Sequence, residues 1–195
     1  MRQALGIAAV LTALAAPAAA QTVQTKQYDD GGIYEGTFLN GRQHGRGTYR
    51  LPNGYEYTGQ WFEGEIRGEG RAQFPNGSVY EGEFVAGKPH GVGVITFADG
   101  GTYEGEWEDG KILGQGLARY ANGVVYEGAF RNAMHHGRGR METPDGYVYE
   151  GDWVNGVKEG TGPGDLCRRR GLRGRAGRRP PRGHRHSDPG RWHGL

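Results

Sequence analysis

The sequence has one cysteine, Cys167, so no intramolecular disulfide can staple the fold. Aliphatic residues are scarce as well. Beyond residue 20, Leu, Ile, Val and Phe together number 27 in 175 residues, about 15%. That is below the roughly 20% at which a chain is suspected of disorder. A chain of 195 residues with so little aliphatic material cannot fill a doubly wound sheet, a barrel or a helix bundle. Several catalytic signatures are missing too. There is no serine elbow, no His-Glu-x-x-His, no nucleophilic Cys near a paired base, and no Gly-Lys-Ser/Thr after a glycine loop. The sequence therefore predicts no catalysis, no cofactor and no metal.

Glycine and aromatic residues are what the chain has in abundance. It carries 39 glycines, one residue in five against the usual ~7%. Of its 21 aromatic residues, 20 fall between 21 and 162, which argues against disorder and for glycines spaced by a repeat. The formal charge of +2 hides a segregation. Residues 21–162 hold 13 Lys+Arg against 20 Asp+Glu (−7), and residues 163–195 hold 10 against 2 (+8).

Residues 1–20 have the layout of a secretory signal peptide. Arg2 supplies the basic start, Ala4–Ala16 the apolar run, Pro17 the break and Ala18-Ala19-Ala20 a small-residue cleavage site, with cleavage expected after Ala20. The apolar run is short for a transmembrane helix, which takes about 20 residues, so an uncleaved anchor is the lesser reading. No Cys follows the run at the cleavage site, so no lipoprotein anchor is expected. The short, Ala-rich form predicts a bacterial protein that is periplasmic or secreted.

A period of 23 organises residues 34–162. Tyr recurs at 34, 57, 80, 103, 126 and 149, with Gly two residues after each. Four after each comes a large aromatic: Phe38, Trp61, Phe84, Trp107, Phe130 and Trp153. Glycines return eleven and thirteen after each Tyr, from Gly45 and Gly47 in the first unit to Gly160 and Gly162 in the last. Asn-Gly or Asp-Gly closes each complete unit, at Asn53, Asn76, Asp99, Asn122 and Asp145. A fixed period of this length marks a repeat array.

The physics of one unit follows from strand alternation. Residues i, i+2 and i+4 share a strand face, so Tyr, Gly and the second aromatic point the same way. The Gly-x-Gly pair is expected to bare one face of a returning strand, so that a ring can lie over it and recover buried area. The Gly seven after each Tyr (Gly41, Gly64, Gly87, Gly110, Gly156) falls in the loop between the two strands. Ala133 replaces it in the fifth unit, which predicts a strained turn or one of another type. The Asn-Gly and Asp-Gly pairs suit type I′ turns linking one hairpin to the next. The fold expected is all-β, a single elongated antiparallel meander of consecutive hairpins. At ~4.8 Å per strand each unit adds roughly 10 Å, and each leans on its neighbours. Residues 21–33 are expected to supply an N-terminal capping strand.

The units Tyr34-Glu35-Gly36-Thr37-Phe38 … Gly41-Arg42-Gln43-His44-Gly45-Arg46-Gly47 and Tyr80-Glu81-Gly82-Glu83-Phe84 … Gly87-Lys88-Pro89-His90-Gly91-Val92-Gly93 resemble MORN repeats, the membrane occupation and recognition nexus motif. The resemblance covers 34–162, with five full copies and a truncated sixth. It implies an elongated antiparallel sheet used for lipid-headgroup contact, self-association or scaffolding. It carries no kinase or methyltransferase activity, because those reside in other domains of the proteins that have them.

After residue 162 the pattern stops. The next Tyr falls due at position 172, where Leu172 stands. Reading each codon from its second base, Arg168-Arg169 can give Asp-Gly and Leu172-Arg173-Gly174 can give Tyr-Glu-Gly in register. Residues 163–195 thus read as the product of a shifted frame. Sequencing the gene tests this, since the reading requires that a one-base shift restores the repeat. At face value they form an Arg/Gly/Pro-rich disordered tail that would bind anionic surfaces through charge. Its first aromatic is Trp192, which makes nucleic acid an unlikely partner, because base stacking needs rings interleaved with the charges.

Two polar columns recur, an acidic one on the face opposite the rings and a histidine one near the hairpin turn. Glu35, Glu81, Glu104, Glu127 and Glu150 form one, with Glu83, Glu106 and Asp152 two residues on. Columns ~10 Å apart are too distant to share a metal, and a solvated acidic face balanced by Arg46, Arg71, Arg138 and Arg140 is expected. His44, His90 and His136 form the other, with His135 beside the last. Arg67 and Leu113 interrupt this column, so the histidines are expected to hydrogen-bond backbone rather than hold zinc.

The structural and interaction residues expected are therefore Tyr34, Phe38, Tyr57, Trp61, Tyr80, Phe84, Tyr103, Trp107, Tyr126, Phe130, Tyr149 and Trp153. They are expected to form an exposed apolar strip, the usual mark of an association surface. The function expected is a non-catalytic exported scaffold that binds a protein partner or a second copy of itself through that face. The alternative is a membrane-surface, phospholipid-binding module, which the −7 body disfavours.

Overall fold

The computed structural model describes residues 22–159. The leader (1–20) and the tail (163–195) lie outside them. Thirteen strands form one sheet in sequential order, every neighbouring pair antiparallel. β1 (Gln24–Gln27) pairs with β2 (Ile33–Leu39) and opens the array. Each unit then supplies an outgoing strand of seven residues and a returning strand of nine. These are β2 and β3 (Arg42–Arg50), β4 (Glu56–Phe62) and β5 (Glu65–Gln73), β6 (Val79–Val85) and β7 (Lys88–Thr96). β8 (Thr102–Glu108) and β9 (Lys111–Arg119), and β10 (Val125–Arg131) and β11 (Met134–Glu142), follow the same plan. β12 (Val148–Val154) and the three residues of β13 (Val157–Glu159) complete what is described.

The inequality of seven and nine has a physical cause. Within the first hairpin Gly36 faces Gly47, but Phe38 then faces Gln43, so one residue of β2 opposes three of β3. The same register shift recurs in the next four hairpins. Gly45, Gly68, Gly91, Gly114 and Gly137, the first of each Gly-x-Gly, sit at φ between 59° and 94°, which absorbs the extra backbone as a bulge. The two glycines thus do different work. The second of each pair lies under a Tyr ring. A Cβ on the first would instead meet Gln60, Glu83 or Glu106 in the second to fourth units. The expected sharing of one ring-covered face by both glycines is corrected here. The local alternation that placed them together is broken by the bulge between them.

The turns are also exchanged relative to expectation. The two-residue loops inside the hairpins are the ones with positive φ at both positions, as at Asn40 (50°) and Gly41 (77°). These are the type I′ turns. The fifth keeps this geometry with Asn132 at 49° and Ala133 at 59°, so a β-carbon is held in the left-handed region. From the second hairpin on, each turn also ties to the preceding unit, as when Gly64 N donates to Gln43 O at 2.9 Å. Between units, Gly54 N donates to Leu51 O at 3.1 Å, and Gly54 has φ 92° while Asn53 is not left-handed. That is a type I turn followed by a left-handed glycine. The Asn or Asp serves through its side chain, accepting from the amide two residues on: Asn53 from Tyr55, Asn76 from Ser78, Asp99 from Gly101.

The core is a ladder of rings on one side of the single sheet. Each unit's Tyr meets its own second aromatic and that of the next unit edge to face. Tyr80 lies 5.1 Å from Phe84 and 5.0 Å from Trp107. Tyr103 repeats this with Trp107 at 5.6 Å and Phe130 at 5.0 Å. Such pairs add roughly 0.5–1.5 kcal/mol each beyond the area they bury. The ladder also alternates in volume. Trp61 and Trp107 belong to units whose strand partner of Tyr is Ala72 or Ala118, whereas Phe84 and Phe130 belong to units with Ile95 or Met141 there. Large and small swap places every 23 residues, which keeps the packed volume of each unit nearly constant.

Candidate functional site

The twelve repeat aromatics all stand on one face, and the structure buries them. Tyr34, Tyr57, Tyr80, Tyr103, Tyr126 and Tyr149 are each 0% exposed, and the second aromatics are buried too, except Phe38, which is half-buried. The exposed strip expected from the sequence is corrected accordingly. The rings cover one another across units, helped by Ile66, Ile95 and Ile112, so the aromatic face is the core.

Each Tyr is needed as a tyrosine. Its hydroxyl donates to the carbonyl three residues on: Thr37 at 3.0 Å, Gln60 at 2.9 Å, Glu83 at 3.1 Å, Glu106 at 3.2 Å, Ala129 at 3.0 Å and Asp152 at 3.0 Å. In the first, second, fourth and fifth hairpins that residue is the one the bulge leaves without a partner inside its own hairpin. Phe would bury the carbonyl with no donor. Burial pushes the Tyr34 hydroxyl up to about 12 and raises Tyr57, Tyr80, Tyr103 and Tyr126 as well. The tryptophans add a second link, their indole N–H reaching the preceding unit's glycine carbonyl: Trp61 to Gly47 at 3.3 Å, Trp107 to Gly93 at 3.2 Å, Trp153 to Gly139 at 3.4 Å.

The opposite face is the one available to a partner. Cross-strand register sets Glu81, Val94, Glu104, Leu117, Glu127, Arg140 and Glu150 side by side on seven successive strands. An open groove of about 780 Å³ runs over this region, its lining including Val92, Glu104, Leu117, Glu127, Arg138 and Glu150. Val92 is 62% exposed and Val94 39%, so both are open to solvent on this face. Two side chains of this face stabilise the bulges. Gln60 Oε1 accepts from Glu69 N at 3.2 Å, and Glu106 Oε1 accepts from Gln115 N at 3.1 Å. Sequence reasoning missed this capping, whose signal is a long polar acceptor three residues after the Tyr.

Charge on the outer face is only partly balanced. Arg71 meets Glu81 at 3.1 Å, and Arg50 meets Glu35 at 3.7 Å and Glu56 at 3.0 Å. Arg140 turns to Glu142 at 2.8 Å rather than to Glu127 or Glu150 beside it. A second hollow of about 490 Å³ sits over the first two units, lined by His44, Arg46, Gln60, Trp61, Phe62 and Arg67. The histidine column differs from expectation. Nδ1 of His44, His90 and His136 is buried without a hydrogen-bond partner, and the His44 ring packs 5.4 Å from Phe62. Their backbone carbonyls do the bonding, that of His44 accepting from Thr37 Oγ1 and that of His90 from Tyr80 Oη at 3.3 Å. His135 belongs to the ring face. It stacks on Tyr126 at 3.6 Å and bonds the Tyr120 hydroxyl at 2.6 Å. Among the described residues no three His, Cys, Asp or Glu side chains gather closely enough to hold a metal ion. Nor is any helix there long and apolar enough to cross a membrane.

The 23-residue hairpin with its buried Tyr, bulge glycine and covered glycine corresponds to a known family model. The MORN repeat model matches residues 34–54, 57–79, 80–102, 103–125, 126–146 and 149–162, more than half the chain. The chain belongs to the MORN repeat family. Among curated MORN-related proteins, alsin of Rattus norvegicus is 43% identical over 49 residues, covering 23% of this chain and 3% of alsin. This chain thus spans only a small part of that relative's length. Among solved structures, the SAS-4 TCP domain of Drosophila melanogaster in complex with a proline-rich motif of Ana2 aligns with 9% identity. It covers 75% of this chain and 86% of that one at a TM-score of 0.42. A mutant TCP10 domain of Danio rerio CPAP aligns with 17% identity over 70% of this chain and 75% of that one, at a TM-score of 0.27. Likeness at that level carries no argument about what this MORN array does. The MORN match itself establishes a repeat array of a family that serves protein or membrane interaction.

Proposed function

We propose that this MORN array is a non-catalytic exported scaffold that mediates protein–protein interaction or self-association, with the outer sheet face as its contact surface. The observation that carries this is the burial of the aromatic face. The rings are spent on holding the sheet together, and the outer face keeps exposed Val92 and Val94 beside half-buried Leu117 as apolar surface for a partner. Export rests on the leader-like residues 1–20. Over residues 21–162 the charge of −7 repels an anionic bilayer, which sets protein contact above phospholipid contact. Light scattering of the mature chain and sedimentation with anionic liposomes test the reading together. Dimerisation or capture of a protein from the exported fraction supports it. A monomer that binds liposomes and no protein overturns it in favour of the membrane module.

A further inference from the structure

The outer sheet face has a repeat distance, and that distance selects a ligand conformation. Along the row Glu81, Val94, Glu104, Leu117 and Glu127, a carboxylate stands on every second strand with an aliphatic side chain between. Strands lie ~4.8 Å apart, so successive carboxylates are about 9.6 Å apart. A polyproline II helix has three residues per turn at 3.1 Å each, so residues three apart share a face about 9.3 Å apart. The two periods stay within about 1 Å over the three carboxylates. An extended β-strand fits poorly, because its residues three apart point to opposite sides. An α-helix offers seven residues per about 10.5 Å and drifts by nearly 2 Å over the same span.

Charge points the same way. No salt bridge engages Glu104 or Glu127 among the described residues, and only Glu81 of the three has a cationic partner, Arg71. Val94 lies open between Glu81 and Glu104, and Val92 lies open beside it opposite Glu106, matched to the rings or aliphatic stems that a polyproline II segment carries between its cations. We infer that the outer sheet face over β6–β10 docks a cationic partner segment in the polyproline II conformation, with Lys or Arg at every third residue meeting Glu81, Glu104 and Glu127 in turn. This rests on the reading of the array as a protein-binding scaffold and assigns that scaffold's contact site and partner chemistry.

Fluorescence anisotropy of the full chain with labelled peptides tests it. The probes are a peptide of repeated Lys-Pro-Pro and one of repeated Lys-Pro-Pro-Pro with the same number of lysines. The three-residue spacing should bind about tenfold tighter, a difference of ~1.4 kcal/mol. Its affinity should fall as salt rises. The E104Q/E127Q double variant should lose about tenfold in affinity, while the charge-matched turn variant E63Q/D109N keeps it. Matching thermal melts show that both variants fold. Equal affinity for the two spacings, or equal loss in the two variants, overturns the inference. If neither peptide binds while the chain still dimerises or captures a protein, the inference fails and the scaffold reading stands.

Discussion

Substituting Gly93 by Ala isolates the contact on which the whole array depends. A Cβ there would come under 3 Å from the Oη, Cζ and Cε2 atoms of Tyr80, against ordinary contact of 3.4–4 Å. The ring has nowhere to go, because Tyr80 is wholly buried and wedged between Phe84 and Trp107. Overpacking of this kind costs roughly 1–3 kcal/mol. A displaced ring also lets go of the carbonyls of Glu83 (3.1 Å) and His90 (3.3 Å). Losing that hydrogen bond adds about 1 kcal/mol. Relief of glycine's entropy in the unfolded chain returns roughly 0.5 kcal/mol. The expected net loss is about 3 kcal/mol by equilibrium urea unfolding. Tyr80→Ala alone should cost roughly 4 kcal/mol. In the double variant the added methyl enters the space the ring left, so Gly93→Ala should then cost close to nothing. The coupling of about 3 kcal/mol is the quantity of interest. A loss below about 1 kcal/mol for Gly93→Ala, or the same loss with and without the Tyr80 ring, refutes the account.

Ala133→Gly should stabilise the fifth hairpin by roughly 0.5–1 kcal/mol in the same assay, because it relieves a left-handed alanine at some cost in chain entropy. Tyr103→Phe should cost about 1–2 kcal/mol with little change in fluorescence, since only the hydroxyl's bonds to the Glu106 and Gln115 carbonyls are lost. Trp107→Phe should cost roughly 2 kcal/mol by chemical unfolding, and adding Ala118→Ile should recover a good part by restoring the large-small balance. Alkali should unfold the array sharply. Tyr34, Tyr57, Tyr80, Tyr103 and Tyr126, wholly buried and with raised values, hold their protons in the fold beyond pH 10, where the unfolded chain releases them. Stability is therefore intact below pH ~10 and falls as pH rises above it, by about 1.4 kcal/mol per pH unit for each tyrosine. Tyrosinate absorbance and circular dichroism should change together near pH 11, and gradual ionisation with the sheet intact would contradict the burial.

The 23-residue period, the hairpins and their order in one antiparallel meander were legible in the residues alone. Strand alternation and turn chemistry are local, and a period repeated six times leaves little freedom in how its units join. The common face of Tyr34 and Phe38, or of Tyr103 and Trp107, needed only the two-residue repeat of a strand. What the tertiary structure decided were matters of register between strands. Gly45 and Gly47 look equivalent by alternation, yet a bulge between β2 and β3 makes one a left-handed hinge and the other a bed for Tyr34. Asn53-Gly54 looks like a type I′ pair, but its connection between strands holds five residues, 51–55, and the two-residue turn of that geometry falls at Asn40-Gly41. Whether the rings face solvent depended on how far each reaches into the next unit, as Tyr57 does to Phe84 at 5.0 Å. That reach is set by strand spacing and bulge together. No window of sequence shorter than two repeats contains both.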